Sequence, residues 1–351
     1  MIKLDPQILT EIRSASSPAE LHRYLQAAVK LEHSTIPPYL TAMFSLKPGV
    51  NHTIAALIRS IVVEEMLHMT IAANILIAIG GTPEINKKGF VPDYPGPLPM
   101  SIGDLIVGIE AFSIPLVEDT FMAIEEPEDP IHIQPPLLAR AAAEPSYATI
   151  GQFYDAIEKQ ILELGPSIFV KKTAPPQVIN HHWFPPSKLF PITGPESACK
   201  AIEIIKTEGE GTATSPFQSA HDPAHYYKFG EIANGRRIVR TPTGFAYAGE
   251  AVLFDPAGVW PLKANCKIAD FPQGTQARTR IERFAYSYST LLNSLHETFN
   301  GHAQQLNAAI GMMYDLRVFA VSLMETDAGT GGGLTVGPSY EYVDTSGGMP
   351  A

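Results

Sequence analysis

Cysteine and clustered basic residues are both scarce in this sequence of 351 residues. The two cysteines, Cys199 and Cys266, are far apart and form no CxxC motif. This argues against a disulfide framework and a thiolate zinc site, and favours a reducing, cytoplasmic location. The net charge is -11 and no run of Lys and Arg occurs. We therefore expect no nucleic-acid partner, because phosphate binding requires clustered cations.

Long apolar runs are absent as well. The N-terminal stretch MIKLDPQILTEIRSASSPAE has no apolar core, so we predict no signal peptide. No run of 18 or more uncharged apolar residues occurs, so we expect no membrane span. By contrast, 45% of the residues are hydrophobic and 31 are prolines. This composition favours a cytoplasmic protein with a sizeable core, which we treat as a single domain over residues 1–351.

Helical periodicity predicts a mainly α fold. We expect bundle helices at about 18–46, 51–80, 148–165 and 196–235, extra C-terminal helices within about 278–326, and a Gly-rich tail at 327–351. Long Pro-rich insertions separate the bundle helices, and insertions of that length usually form functional walls or lids. Pro37 and Pro38 are expected to interrupt the first helix just after Glu32 and to widen the bundle there.

The stretch VVEEMLHM lies inside the second predicted helix. Glu65 and His68 fall on its apolar stripe three residues apart, so both can reach a common centre. Glu32 takes a core position on the first helix. A buried ionised carboxylate requires an ion pair, hydrogen bonds or a metal. By the same periodicity, Glu64 is less well centred, and His33 points away from the stripe and is expected to be exposed.

A single Glu on one helix with a Glu-x-x-His on the next is one half of a dinuclear carboxylate centre. For the second half, Glu158 is the best single acid on the third helix, and His225 is the matching histidine. Glu210 and Asp222 both remain candidates for the last carboxylate. Asp222 precedes a proline and also fits a helix N-cap, whereas glycines flanking Glu210 allow a close approach.

These residues also have structural readings. Glu32, Glu65 and His68 could form a buried hydrogen-bonded network without metal, and Glu158 could belong to a solvated helix face. Glu210, Asp222 and His225 could be turn, cap and first-turn residues. Tyrosines such as Tyr39 are more often core aromatics than radical or proton carriers.

Several stretches together resemble one known family: LEHSTIPPYL, VVEEMLHM, TIGQFYDAIE, EGEGT, AHYYKFGEI and the C-terminal MYDLRVFAVSLMET. They resemble ferritin-like proteins of the iminophenyl-pyruvate dimer synthase type, a type also found as a domain of violacein and rebeccamycin pathway enzymes. The resemblance implies a ferritin-like four-helix bundle with long insertions. Its implied metal ligands are Glu32, Glu65, His68, Glu158, Glu210 and His225, with Asp222 the weaker alternative.

Two divalent metal ions are the expected cofactors, with iron favoured over manganese and zinc. The leading functional hypothesis is a non-haem dinuclear oxidoreductase that acts on a small aromatic or amino-acid-derived substrate. The alternatives are an iron-storage or ferroxidase-type protein and a helical scaffold that has lost its metal. A small-molecule substrate and a second copy of the chain are the expected partners, and neither nucleic acid nor membrane is expected.

Overall fold

A computed structural model gives the architecture of residues 2–131, 133, 147–171, 175–212 and 214–349. The part of the predicted Pro-rich crossover at residues 134–146 lies outside these described residues. The first half contains β1 (Lys3–Leu4), α1 (Pro6–Arg13), α2 (Pro18–Phe44), α3 (His52–Ala78) and β2 (Ser101–Ile102). A continuous helical segment follows, made of α4 (Ile114–Leu116), a π-helical turn (Val117–Phe121) and α5 (Met122–Glu125).

The second half begins with α6 (Ile150–Leu164), α7 (Pro195–Glu210) and α8 (His225–Asn234). The strands β3 (Arg236–Thr241) and β4 (Gly244–Ala251) form an antiparallel hairpin in which Ile238 pairs with Tyr247. The chain then forms α9 (Gln276–Phe299) and α10 (Leu306–Met324). The predicted mainly α fold is confirmed, and the long segment expected between α8 and α9 contains the hairpin.

The helices pack with their apolar faces inward around α3. The most extensive helix–helix interface is between α2 and α3, and α7 and α8 pack against α3 as well. α6 lies against α7 and α1. The start of α6 is fixed by a capping box, in which Thr149 accepts from the backbone N–H of Gln152 and the Gln152 side chain accepts from the backbone N–H of Thr149. This arrangement leaves the middle of α3 enclosed on several sides.

Pro37 and Pro38 lie inside α2, which continues past them to Phe44. The expected interruption of the helix is therefore wrong. A proline removes the N–H that would bond the carbonyl four residues earlier, so Pro38 frees the carbonyl of Ser34. The Tyr94 hydroxyl donates to that carbonyl at 2.6 Å, within the buried core. The segment between α3 and β2 thus supplies the hydrogen bond that the proline removes.

His33 is buried, with only 3% of its surface exposed, so the expectation that it is exposed is wrong. Its Nε2 lies 3.0 Å from the Tyr288 hydroxyl of α9, and its ring packs against Phe90. Burial lowers the pKa of His33 to about 3, so the ring is neutral. The side of α2 opposite the bundle is covered by other parts of the chain, which helical periodicity alone does not reveal.

Among the residues that the structure describes, two helices are long and apolar enough to span a membrane by length and composition. They are α3 and the stretch Ala303–Met324, whose most apolar windows have mean hydropathies of 1.6 and 1.2. Of the window in α3, 89% is buried inside the fold, against 33% in the second helix. Burial of that extent is typical of the core helix of a bundle. One or two such helices are therefore weak evidence for a membrane protein.

We predict that Tyr94→Phe destabilises the protein by about 1–3 kcal/mol, because it leaves the buried Ser34 carbonyl without a donor. The same change at Tyr314, which is 65% exposed, should have little effect. Pro38→Ala restores a backbone N–H to the Ser34 carbonyl, so Tyr94→Phe should be less destabilising in that background. Chemical denaturation of the four variants measures both effects. An equal loss in both backgrounds would show that Tyr94 does not compensate for the proline.

Candidate metal centre

Buried acids and histidines from four helices line one small cavity. Glu32 comes from α2, Glu65 and His68 from α3, Glu125 from the end of α5, and His225 from the start of α8. Their side chains are nearly inaccessible, from 10% exposed for Glu125 to 0% for His225. The cavity has a volume of about 50 Å³, which is room for only a few water molecules.

Local structure determines how each side chain reaches this cavity. The i, i+3 spacing places Glu65 and His68 on the same face of α3. Thr35, one turn after Glu32 on α2, donates from Oγ1 to Oε2 of Glu65 at 2.8 Å. Glu125 follows the π-helical turn. Such a turn contains one residue more than an α-helical turn, so the side chains after it point in a different direction than they would in a regular α-helix. Such turns are frequent at functional sites.

The imidazoles face these acids through their Nδ1 atoms. His225 Nδ1 lies 2.9 Å from Oε1 of Glu65 and 3.5 Å from Oε2 of Glu125. His68 Nδ1 lies 3.5 Å from Oε2 of Glu32. The two rings are stacked, with their centroids 5.3 Å apart. Ligand atoms from Glu65, His68 and His225 all lie within 4.8 Å of one another, so the three side chains can bind one ion.

His225 Nδ1 is fully buried and lies 2.9 Å from Oε1 of Glu65, but neither neighbouring carboxylate is aligned with it in good hydrogen-bond geometry. Buried polar atoms without a hydrogen bond are rare in folded proteins, and a bound ion can serve as the partner that such an atom lacks. Carboxylate oxygens and imidazole nitrogens together are the ligands of iron, manganese and zinc sites. The residues of this cavity therefore fit a transition-metal centre.

The electrostatics of the cluster show how strongly it requires positive charge. Burial raises the pKa of Glu65, and the charge of Glu125 raises it further, to about 7. Burial opposes the protonation of His68, but its hydrogen bonds to Glu208 and Glu32 outweigh burial and raise its pKa to about 10. In the metal-free protein, protonated imidazoles therefore neutralise the buried acids. Divalent ions bound between the same groups would take over that task.

Two buried tyrosines fix the acids at opposite ends of the cluster. The Tyr154 hydroxyl of α6 donates to Oε1 of Glu32. The Tyr39 hydroxyl of α2 donates to Oε1 of Glu125 at 2.5 Å. Tyr39 also packs edge-on against Phe121 in the π-helical turn. Both tyrosines therefore contact candidate ligands, in addition to filling the core.

The remaining predicted ligands lie away from the cluster or at the edge of the cavity. Glu158 is half-buried on the α6–α7 interface, where its carboxylate is hydrogen-bonded to the Cys199 thiol, so the structure does not bring it to the cluster. Asp222 is 46% exposed and lies 3.1 Å from Lys228. It does not cap α8, whose N-cap is Ala224. Glu210 lines the cavity and accepts a hydrogen bond from the backbone N–H of Gly151.

Glu125 lines the cavity, whereas Glu158, the acid that sequence analysis favours, does not. Glu125 lies in one of the long Pro-rich insertions between the predicted bundle helices, and a π-helical turn breaks the 3.6-residue period just before it. The available signal was the partial helical period of the residues preceding it. Extending that helix to Glu125 would have offered this acid as a candidate.

We predict that Glu158→Gln increases the reactivity of Cys199 at neutral pH. Burial and the neighbouring Glu158 together raise the pKa of this thiol to about 11, and only the thiolate is nucleophilic. Removing the negative charge should shift the pH profile of Cys199 alkylation to lower pH. Residue-resolved mass spectrometry with iodoacetamide measures this shift. An unchanged profile would mean that Glu158 does not contact the thiol.

Comparisons with known proteins identify the family and the fold of this chain. Residues 25–234 match the model of the family described as ferritin-like, a range that includes every residue of the cluster. The structure resembles that of a ferritin like protein from Caulobacter vibrioides, with a TM-score of 0.60, 22% sequence identity, and coverage of 91% of this chain and 97% of that one. No curated protein matches the sequence. The predicted ferritin-like fold is confirmed, and the chain belongs to the ferritin-like family.

Proposed function

We propose that this protein is a non-haem dinuclear metal oxidoreductase with iron as its metal. The observation that carries the proposal is the buried convergence of Glu65, His68 and His225, whose ligand atoms lie within 4.8 Å of one another, with Glu125 next to His225. An imidazole nitrogen between two carboxylates is arranged as a metal ligand. Manganese and zinc are alternative occupants, because they use the same ligand types.

The positions of the side chains suggest how two ions would be held. Glu32 and His68 would bind one ion, and Glu125 and His225 the other. Glu65 lies between them, with Oε1 near His225 and Oε2 held by Thr35, so it is the candidate bridge. Three carboxylates carry three negative charges against the four positive charges of two divalent ions. The acidic Glu210 at the cavity edge could supply the fourth.

When bound, a pair of iron ions supplies the capacity to activate dioxygen or peroxide. The chain's own contribution is to keep the site dry and its ligands oriented. Tyr154 holds Glu32 and Tyr39 holds Glu125 through hydrogen bonds. Ile124, Ile150 and Ile205 form an apolar wall of the cavity. Burial of all the ligands excludes bulk water, which limits side reactions of an activated oxidant.

A small substrate derived from an aromatic or imino or amino acid forms the finer part of the proposal. The cavity has apolar walls near the metal ligands, and Lys206 and Glu210 line it as well. This combination suits a molecule with an apolar group and a charged one. The resemblance to iminophenyl-pyruvate dimer synthases supports the same substrate class.

One observation favours a second candidate, an iron-binding or ferroxidase-type protein. A cavity of about 50 Å³ has room for a few waters or for dioxygen, but an aromatic ring would enter only if side chains moved. A ferroxidase needs no organic substrate.

We predict two iron or manganese ions per chain in protein reconstituted without oxygen. Glu125→Ala should lose at least one ion, since it removes a ligand, and Glu65→Ala should lose both, since it removes the bridge. Glu158→Gln should retain both ions and is the matched control. Metal analysis after gel filtration measures this. Retention of two ions by Glu125→Ala with loss from Glu158→Gln would reverse the ligand assignment.

We predict that the iron-loaded protein consumes dioxygen catalytically when an aromatic amino or imino acid is added. Dioxygen uptake by the wild type, with and without the candidate substrates, is compared with that of Glu65→Ala. Repeated oxidation of added ferrous iron, with no effect of any organic compound, would instead support the ferroxidase. Absence of bound metal in the wild type would overturn both functions.

A further inference from the structure

The two histidines have a second set of partners on the side away from the metal-facing acids. His68 Nε2 lies 3.0 Å from Oε2 of Glu208, at the end of α7. His225 Nε2 lies 3.1 Å from Oε2 of Glu64, on α3. Glu208 and Glu64 are themselves buried, at 3% and 8% exposure. Each imidazole is therefore held between an inner and an outer carboxylate.

A lysine neutralises each outer carboxylate. Lys228 is 1% exposed, and its Nζ donates to Oε2 of Glu64 at 2.6 Å. Lys188 Nζ lies 2.6 Å from Oε1 of Glu208. The side chain of Gln218 also donates to Glu64, at 2.9 Å. These two acids and two lysines together carry no net charge. They therefore do not neutralise the metal-facing acids, which still require positive charge.

The partners cross between helices. Glu64 of α3 contacts the histidine of α8, whereas Glu208 of α7 contacts the histidine of α3. Successive residues of an α-helix differ by about 100° in direction. The adjacent Glu64 and Glu65 can therefore face different groups, with Glu65 facing Nδ1 of His225 and Glu64 facing Nε2 of the same ring. The consecutive acids in VVEEMLHM thus contact the two ring nitrogens of one imidazole.

We propose that Glu208 and Glu64 are positioning residues that accept the Nε2 protons of His68 and His225 and so reserve both Nδ1 atoms for metal. The inference rests on the proposed metal-binding function of the cluster. A hydrogen bond at one ring nitrogen sets which nitrogen binds metal and how the ring is oriented. Lys188 and Lys228 hold the outer carboxylates, which without a counter-charge would be strongly destabilising inside the fold.

The first test is to identify the metal-bound nitrogens in the zinc-loaded protein. Zinc is redox-inert, so this readout is independent of any oxidation. Long-range proton–nitrogen NMR spectra of protein labelled with nitrogen-15 histidine distinguish Nδ1 from Nε2 coordination. We expect two histidines bound through Nδ1, each with a proton on Nε2. Coordination through Nε2 would overturn this inference alone. Failure of the wild type to bind zinc, manganese or iron would overturn the metal-binding function as well.

The second test measures zinc affinity by competition with a chelator. Glu208→Leu should bind zinc about 10–100-fold more weakly. Glu208→Gln should remain within a few-fold of the wild type, because its amide oxygen still accepts the Nε2 proton. Glu203→Leu, a change at a 62% exposed position on the same helix, is the control. A merely structural role for Glu208 would lower thermal stability in Glu208→Leu without lowering zinc affinity in the folded protein.

Variants at buried positions can fail to fold, so the test includes a variant at a partly exposed position. Lys188 is 35% exposed, so Lys188→Met should fold. We expect it to weaken zinc binding in the same direction as Glu208→Leu, because the unpaired Glu208 carboxylate no longer has a fixed orientation. Wild-type zinc affinity in both Lys188→Met and Glu208→Leu would overturn the proposal.

Discussion

The constraint on which the site depends is the repulsion between carboxylates buried in a helical core. Glu32, Glu65 and Glu125 meet where almost no solvent reaches, and like charges at such a place must be neutralised. Protonated imidazoles do this in the metal-free protein, and metal ions would do it in the loaded one. The tyrosines at Glu32 and Glu125 add hydrogen bonds without adding charge. The helices packed around α3 supply the groups that neutralise or hydrogen-bond these carboxylates.

The fold and the first half of the site could be predicted because regular helices carry them. Glu32, Glu65 and His68 interrupt apolar stripes of the 3.6-residue period, and the structure places all three at one cavity. His225 also reaches it, although it opens a short helix. Contacts between segments far apart in the chain leave no such periodic pattern in the sequence. The burial of His33 by Tyr288 and the support of Ser34 by Tyr94 connect segments far apart in the chain.

The second half of the site was harder to predict because its residues depend on irregular structure. Glu125 follows a π-helical turn, whereas Glu158 lies on the regular helix α6 and faces α7 instead of the cavity. Glu208 and Glu210 are two residues apart at the end of α7, and only the structure distinguishes their roles. Glu208 contacts His68, while Glu210 lies against Gly151, where a Cβ would be 2.8 Å from Oε2 of Glu210.

The distribution of the site along the chain has a consequence for biosynthesis. The paired helices α2 and α3 are made early and carry Glu32, Glu64 and Glu65, whereas His225 and Lys228 of α8 follow about 160 residues later. Until α8 leaves the ribosome, these acids lack two of their positive partners. The early helix pair can therefore bury these acids only if they are protonated or stay hydrated, and their native ion pairs form only after α8 has been synthesised.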